Sequence, residues 1–557
     1  VSQKTEKVMG KNIVYLLIML LVVSLQAQSQ FPQWATDQLE LRRVVEESIR
    51  ESQKWQRSDG SIYPYLNVYK WDDEVEIFYN WLSYYWLTGD VTVYQSVRKI
   101  ALAYIGRAEK EGLFEHGYYR DAFYDTEHTL EGMIILAGLA WANPKDIEIV
   151  AALEDVVEHA ANMVAGYEPW FEPNTSLMRS IRLGTRKVNK YSTTAMDWTY
   201  NLQFVKMALA AYHATGKEEY LTWSKTYLDG WIRVFERNES ENFYYLAPSE
   251  VDPYTGRIGF LSGVWYQSAF EPGWGWPTKG NEANRDMRGA FLDTYRLTGE
   301  RRFLEAIVKH VQTLFDNGTS SQPANFFDGV KWTPADEKVT VNMSVQSDLM
   351  DDLADPKFES FMKRWYEYQR YPDPEFHFWA FRKFGGLEKI DKINFRSLDN
   401  ARKRLVELRE MSALPETPDA FIRIGGYWGL TLVPFGGIAP LRGEMPWMDV
   451  VYFKADGSLG LPYGVAALAE SKDDESTQFR ICNTTNVQQT IFVQNGFTAE
   501  PIYQVLINGV LNRVMAGERA QITIPPQQTI QVRLESIQKD FQPPQPPTLL
   551  QVFIDYH

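Results

Sequence analysis

Three short stretches of this chain are variants of one another: Tyr85-Trp86-Leu87-Thr88-Gly89, Tyr212-His213-Ala214-Thr215-Gly216 and Tyr295-Arg296-Leu297-Thr298-Gly299. Each is followed four or five residues later by an aromatic residue: Tyr94, Tyr220 and Phe303. Glycine adopts the left-handed conformation that ends a helix, and a second helix can begin within a few residues. Aromatic rings before and after such a turn then pack across the helix pair. The intervals between the glycines lie near multiples of roughly 42 residues, the length of one two-helix hairpin with its loops. About six or seven hairpins of that length fill residues 35–414. Hairpins in that number close into an (α/α) toroid or stack as an open solenoid. The repeats are degenerate and the loops between them long, which favours the closed toroid.

Beyond Leu414 the periodicity changes to alternation. Phe479-Arg480-Ile481, Thr490-Ile491-Phe492-Val493 and Ile530-Gln531-Val532-Arg533-Leu534 read as strands, and the segment 505–511 reads as a hairpin turning at Asn508-Gly509. The fold expected is mainly α: an (α/α) toroid of six or seven helical hairpins over 31–414, then an antiparallel β-sandwich over 415–537. A chain of 557 residues requires such a division. The Pro-rich segment 538–557 reads as a stiff extended linker.

The N-terminus carries an address. Lys11 precedes an apolar run over 13–25, and Ala27-Gln28-Ser29 supplies small residues for cleavage. The run is too short for a stable membrane span and suits a signal peptide over 1–29, with Met9 as the start. No cysteine follows it, so a secreted or periplasmic protein without a lipid anchor is expected, with no membrane contact after cleavage. Cys482 is the one cysteine, which excludes an internal disulfide and points to a bacterial exported protein. The formal net charge of −15 argues against duplex nucleic acid as a partner. A monomer is expected. Aromatic residues make up 14% of the chain, a composition suited to stacking on sugar faces.

Four segments could carry chemistry. Residues 174–196 hold Arg179, Arg182, Arg186, Lys187 and Lys190 with no acidic residue, and end at Tyr191. Five positive charges in a strongly acidic chain read either as a cradle for a polyanion, where Arg grips carboxylates through paired hydrogen bonds, or as a solvated loop balancing nearby acids. In Asp125-Thr126-Glu127-His128, Asp125 is a natural N-cap and His128 falls in the first helical turn. The helix dipole there favours a neutral imidazole able to act as a base, with Glu127 or Glu131 to orient it; a purely capping role is the alternative. The Gly- and Pro-rich segment 265–277 holds Trp265, Tyr266, Trp274 and Trp276, a candidate sugar-stacking wall or a loop packed on the toroid. Nearby Asn281, Glu282, Asn284, Arg285 and Asp286 could add polar contacts. Finally, Asp72, Asp73, Glu74 and Glu76 open an aromatic helix, either as dipole partners or as a carboxylate pair.

No HExxH, P-loop or dinucleotide-binding pattern occurs, and Asp348, Asp351, Asp352 and Asp355 lack the spacing of a calcium loop. No cofactor is expected, and a structural calcium ion has no support in the spacing.

The hairpin architecture, the His128 helix, the basic segment ending at Tyr191 and the aromatic loop together resemble the (α/α)-toroid polysaccharide lyases, among them the glucuronan and mannuronan (alginate) lyase family thirty-eight. The resemblance implies β-elimination from a uronate within an anionic polysaccharide. It implies Tyr191 as proton donor and acceptor, His128 as its partner with Glu127 alongside, and Arg186 as the carboxylate clamp. Asn201 would help neutralise the acid, and Arg182 and Lys190 would bind substrate beside the aromatic loop. Two other readings stand beside this one. A glycoside hydrolase on the same toroid, such as an unsaturated uronyl hydrolase, would use carboxylates drawn from Asp72, Asp73, Asp197 or Glu271. A non-catalytic glycan-binding protein would keep the aromatic loop and show no turnover.

Overall fold

The computed structural model describes residues 31–63, 71–270, 279–316, 381–425 and most of 443–536, with short pieces between. The expected signal segment, the Pro-rich tail, Glu271, Trp274, Trp276 and the acidic run at 348–355 lie outside the described residues. The side chains of Asp72, Asn281, Glu282, Asn284, Arg285 and Asp286 do so too.

The recurring Thr-Gly turn has one geometry in all three places. Gly89, Gly216 and Gly299 have φ of 67°, 71° and 69°. Their N–H groups return to the carbonyls of Tyr85, Tyr212 and Tyr295 at 2.7, 2.7 and 2.6 Å. The threonine before each glycine donates its hydroxyl to the carbonyl four residues back, at 2.7 Å from Thr88, Thr215 and Thr298. The same oxygen accepts the N–H of Asp90, Lys217 and Glu300 at 3.2 Å. One side chain thus adds a second donor to a helical carbonyl and supplies an acceptor to the amide that follows the turn. Tyr85 meets Tyr94 across the first turn, ring centres 5.5 Å apart.

These turns join helices of two kinds. In chain order the helices are α1 (Gln33–Gln53), α2 (Trp71–Tyr79), α3 (Trp81–Thr88), α4 (Val91–Lys110), α5 (Thr126–Met133), α6 (Ile135–Ala142) and α7 (Ile147–Ala160). There follow α8 (Gln203–Thr215), α9 (Glu218–Asn242), α10 (Lys279–Thr298), α11 (Arg301–Asp316), α12 (Leu387–Glu410) and α13 (Pro418–Gly425). Every residue of α3 is buried, as are all of α6 except Gly138 and all of α8 from Gln203 to Tyr212. Helices apolar all round belong to an inner layer. By contrast α4 buries only a stripe that includes Val93, Val97, Ile100, Tyr104 and Ala108 and turns its other face outward.

The inner helices touch in sequence, α2 with α5, α6 with α8 and α8 with α10, and α13 returns to α2. In the outer layer α12 lies along α1, joined by Arg402 to Glu40 at 3.0 Å and Arg409 to Glu47 at 2.7 Å. First and last elements meet in both layers, so the ring is closed: an (α/α) toroid. The helical part runs past the expected boundary at Leu414, because α13 packs into the ring. Three two-stranded hairpins sit in the loops: β1 (Phe114–Glu115) with β2 (Tyr118–Tyr119), β3 (Phe171–Glu172) with β4 (Leu177–Met178), and β5 (Asn325–Asp328) with β6 (Lys331–Pro334).

The C-terminal strands are β7 (Val450–Lys454), β8 (Val465–Lys472), β9 (Ser476–Asn483), β10 (Gln489–Asn495), β11 (Ile502–Ile507), β12 (Val510–Gly517), β13 (Arg519–Ile524) and β14 (Gln528–Ser536). They form two antiparallel sheets, ordered β13-β10-β7 and β12-β11-β14-β9-β8, with the expected turn at Asn508-Gly509. Ile491, Val493 and Ile522 of one sheet and Phe479, Ile481 and Val532 of the other are buried in a shared core.

This sandwich sits against the C-terminal ends of the inner helices. The Leu461 N–H donates to the Leu87 carbonyl at 2.8 Å, and Arg42 donates to the carbonyls of Pro462 and Leu461 at 3.0 and 3.1 Å. A Cβ at Gly89 would lie 2.0 Å from the Leu459 carbonyl oxygen, so this close approach requires glycine. Phe497 packs on Trp86, Trp141 and His213. Ahead of the sandwich, residues 443–445 reach into the ring. Gly443 accepts from the Trp141 indole at 3.2 Å, buried Glu444 pairs with buried Lys206, and the Met445 N–H donates to Asp293 at 2.8 Å. One end of the ring is therefore closed, and the N-terminal ends of the inner helices mark the other. Among the described residues no helix is long and apolar enough to cross a membrane.

Candidate functional site

At the open end the first turn of α5 presents the only titratable triad of the mouth that combines an imidazole with carboxylates among the described residues. Asp125 caps the helix as expected. Its Oδ1 accepts the His128 backbone N–H at 3.3 Å and faces the His128 Nδ1 at 2.9 Å. Glu127 Oε2 lies 3.5 Å from the same nitrogen. Both carboxylates are buried, while the His128 side chain is 44% exposed. An Nδ1–H donated to Asp125 places the ring's lone pair on Nε2, the tautomer of a general base. The helix α2, which begins at the same end, lies beside α5 and carries half-buried Asp73. Its neighbour Glu74 is a structural group: its Oε1 accepts the N–H groups of Ile62 and Tyr63 at 2.6 and 3.0 Å, and burial raises its pKa.

Two loops frame this turn. Asn189, itself buried, donates to the Ala122 carbonyl at 3.4 Å and accepts the Tyr191 N–H at 3.1 Å. The staple holds Phe123 and Tyr191 on adjacent strands of loop, and both rings are largely exposed, at 69% and 70%. Large apolar rings that a fold holds out in water beside an acid–base group are suited to stacking on a sugar. Sequence reasoning passed over Phe123, which has no pattern around it beyond its place two residues before the cap.

Three cations of the basic segment are engaged in ion pairs in this structure. Arg186 pairs with Glu115, Lys190 with Glu168 and Arg179 with Glu172. Arg182 lies over the Phe270 ring, 5.0 Å from its centre. The acids that pair with three of its five cations come from 115, 168 and 172, outside the acid-free window, which is why the window read as uncompensated. Tyr191 is tied to the loop before Asp125 through Asn189, but among the described residues no hydrogen bond or ring contact joins its side chain to another residue.

Asn201 is part of the frame. It is fully buried, donates to the Ser180 carbonyl at 3.2 Å and to Asp197 Oδ1 at 2.7 Å, and accepts from Thr126. Asp197 is buried too and accepts from Met178 N–H at 3.0 Å, Trp198 N–H at 2.8 Å and the Tyr227 hydroxyl at 3.0 Å. Burial pushes its pKa up to about 7 against the pull of these donors. With no surface left for a substrate, Asp197 is a node that ties the basic loop to the ring. Trp265 is buried against Tyr244, ring centres 5.7 Å apart, with Tyr266 edge-on to it, so Trp265 packs the loop and is no open stacking wall. That loop is gathered by buried Glu250, which accepts the N–H groups of Leu261, Ser262 and Ala269. Lys206 was also missed, although a lone lysine inside the apolar run 204–211 signals a buried partner.

The molecule is thus a closed (α/α) toroid, sealed at one end by a β-sandwich, with a histidine–carboxylate group at its open end. A family profile described as "Domain of unknown function (DUF8034)" matches residues 22–185 and 159–404, and the chain belongs to that family. This is the family shown, in place of lyase family thirty-eight. No curated protein matches the chain. Among solved structures it is similar to an inactive variant of the alpha-1,6-mannanase GH76A of Salegentibacter sp. HEL1_6 in complex with alpha-1,6-mannotriose. That match has 13% identity and a TM-score of 0.36, covering 58% of this chain and 85% of that one. It is also similar to an unsaturated glucuronyl hydrolase specific for heparin, with 13% identity and a TM-score of 0.40, covering 67% of this chain and 98% of that one. Likeness at this level leaves chemistry open, since one fold hosts many activities.

Proposed function

We propose that the protein cleaves a glycan and does so by hydrolysis. The observation that carries this reading is the Asp125–His128–Glu127 group in the first turn of an inner helix, flanked by the exposed rings of Phe123 and Tyr191. Glycoside hydrolysis needs one carboxylic acid to protonate the leaving oxygen and a second carboxylate to activate water or attack the sugar. Glu127 on α5 and Asp73 on the adjacent α2 are the pair proposed for those roles. His128, oriented by Asp125, positions substrate and exchanges a proton with Glu127. The rings hold the sugar faces.

Elimination from a uronate is the weaker reading. It requires cations to offset the substrate carboxylate as the proton leaves the adjacent carbon. Arg186, Lys190 and Arg179 already spend their charge on Glu115, Glu168 and Glu172. The test is incubation with a panel of neutral and uronate glycans, following both new reducing ends and the ultraviolet absorbance of an unsaturated uronate. Reducing ends without that absorbance, abolished in Glu127→Gln and Asp73→Asn, are expected. Absorbance that rises with product, and is lost in Tyr191→Phe, would return the protein to elimination. Glycan binding without either product would leave a binding protein.

A further inference from the structure

At the turn of the β1–β2 hairpin a second histidine–carboxylate group has no part in the proposed reaction. His116 occupies the tight turn between β1 and β2, with φ of 50°, and Gly117 follows with φ of 72°. The turn lies on α7: a Cβ at Gly117 would sit 2.4 Å from the Asp155 Cβ, so the backbone rides directly over that side chain. One ligand atom each from His116, Asp155 and Glu158 falls within 4.8 Å of the others. The spacing of Asp155 and Glu158 puts both carboxylates on one face of α7.

His116 Nδ1 and Asp155 Oδ1 stand 3.6 Å apart, too far for a hydrogen bond. His116 Nδ1 is shielded from solvent and has no hydrogen-bond partner. The two groups stand close without a hydrogen bond, at a separation that two ligands of one ion also show. Ligands bound at about 2.0–2.1 Å in a tetrahedron are separated from one another by roughly 3.3 Å. An imidazole nitrogen with two carboxylates is a donor set for zinc, not for the all-oxygen shells of calcium or magnesium. Beside it, His159 is buried with its Nε2 unpartnered, and its ring centre lies 4.9 Å from that of His116.

We infer that His116, Asp155 and Glu158 form a zinc site that clips the β1–β2 hairpin to α7. The ion would fix the turn next to Glu115, the residue that anchors Arg186 at the rim. Its role is to hold the mouth's wall; it takes no part in bond cleavage.

Equilibrium dialysis of the chelator-stripped full chain against zinc, with thermal melting in parallel, tests the site. The parent should bind zinc at micromolar free concentration and melt several degrees higher when loaded. His116→Asn, which keeps a residue tolerant of positive φ, and Asp155→Asn should each lose that zinc and the rise in melting temperature. His128→Asn should keep both, which separates this group from the one on α5. An equal concentration of calcium should give no shift. Zinc binding that is absent in the parent, or that persists unchanged in His116→Asn and Asp155→Asn, would overturn the site.

Discussion

The two ends of the ring are built on opposite principles. Toward the closed end and inside the ring polar groups are withdrawn from water: Lys206 and Glu444 are buried as a pair, and His213 lies stacked on Trp141, ring centres 4.7 Å apart. At the open end the equivalent groups face solvent: His128 is half exposed, and aromatic rings stand out from the surface. A buried charge is costly to leave unpaired, so a closed end of this kind fixes position, while an exposed acid–base group costs little and can meet a substrate. Stability and activity should therefore separate by end.

The largest effect belongs to the pair buried inside the ring. Lys206→Met strands the Glu444 carboxylate inside the ring and should cost roughly 3–5 kcal/mol in denaturant unfolding. Lys206→Met combined with Glu444→Leu should regain most of that, because no charge is then left without a partner. A single substitution costing under about 1 kcal/mol would mean that water reaches the pair, and the contrast between the ends would fail.

Asp197 sharpens the comparison, since it lies toward the open end and is as buried as anything at the closed one. Asp197→Asn keeps one acceptor oxygen and turns an amide NH2 toward either the Met178 or the Trp198 N–H, donor against donor. A loss of about 3 kcal/mol is expected. A neutral result would show that the basic loop is held by its surface ion pairs.

The closed end also has a pH signature. Burial depresses the His213 pKa to about 4, and both ring nitrogens lack partners. The unfolded chain takes up this proton near 6.5, so between about pH 6.5 and 4 the unfolded state holds more protons. The stability that His213 contributes is present above that window and is lost as pH falls through it. His213→Leu should flatten the acid limb of the melting profile relative to the parent, and an identical slope in both would place the acid response elsewhere.

What the sequence made legible follows the same division. The Thr-Gly turn needs one backbone geometry and one hydroxyl, both local, so three copies of it announced the helix pairs and their period. The β-strands were readable for the same reason, by alternation. Asp125 as a cap was local too. The state of the basic segment was not, because Glu115, Glu168 and Glu172 reach it only through the fold. Nor was the burial of Trp265 or Asn201, which depends on packing between distant loops. Charge and exposure are decided by long-range neighbours, and these separate a binding surface from a satisfied one.

At the mouth, His128→Asn should leave stability within about 1 kcal/mol of the parent, as expected for a half-exposed residue. Glycan cleavage should fall by on the order of 10²–10⁴, the usual contribution of a positioned acid–base group. Equal losses of stability and activity would make His128 a capping residue and nothing more.

The smallest effect is the most discriminating for substrate. Arg186 is largely exposed, and its guanidinium is held by Glu115, with the second contact at 3.2 Å. If it clamped a uronate carboxylate, Arg186→Ala would raise KM steeply and cut turnover, since the clamp must offset charge as the proton leaves. If its charge serves Glu115, removal loosens a surface pair that solvent and salt already screen. The expected outcome is a melting temperature within about a degree of the parent and cleavage of a neutral glycan within about twofold. Glu115→Gln separates the cases further: it releases Arg186, and a chain that then gains affinity for a uronate polymer at low salt, but not at high salt, would show that Glu115 keeps the mouth from binding anions.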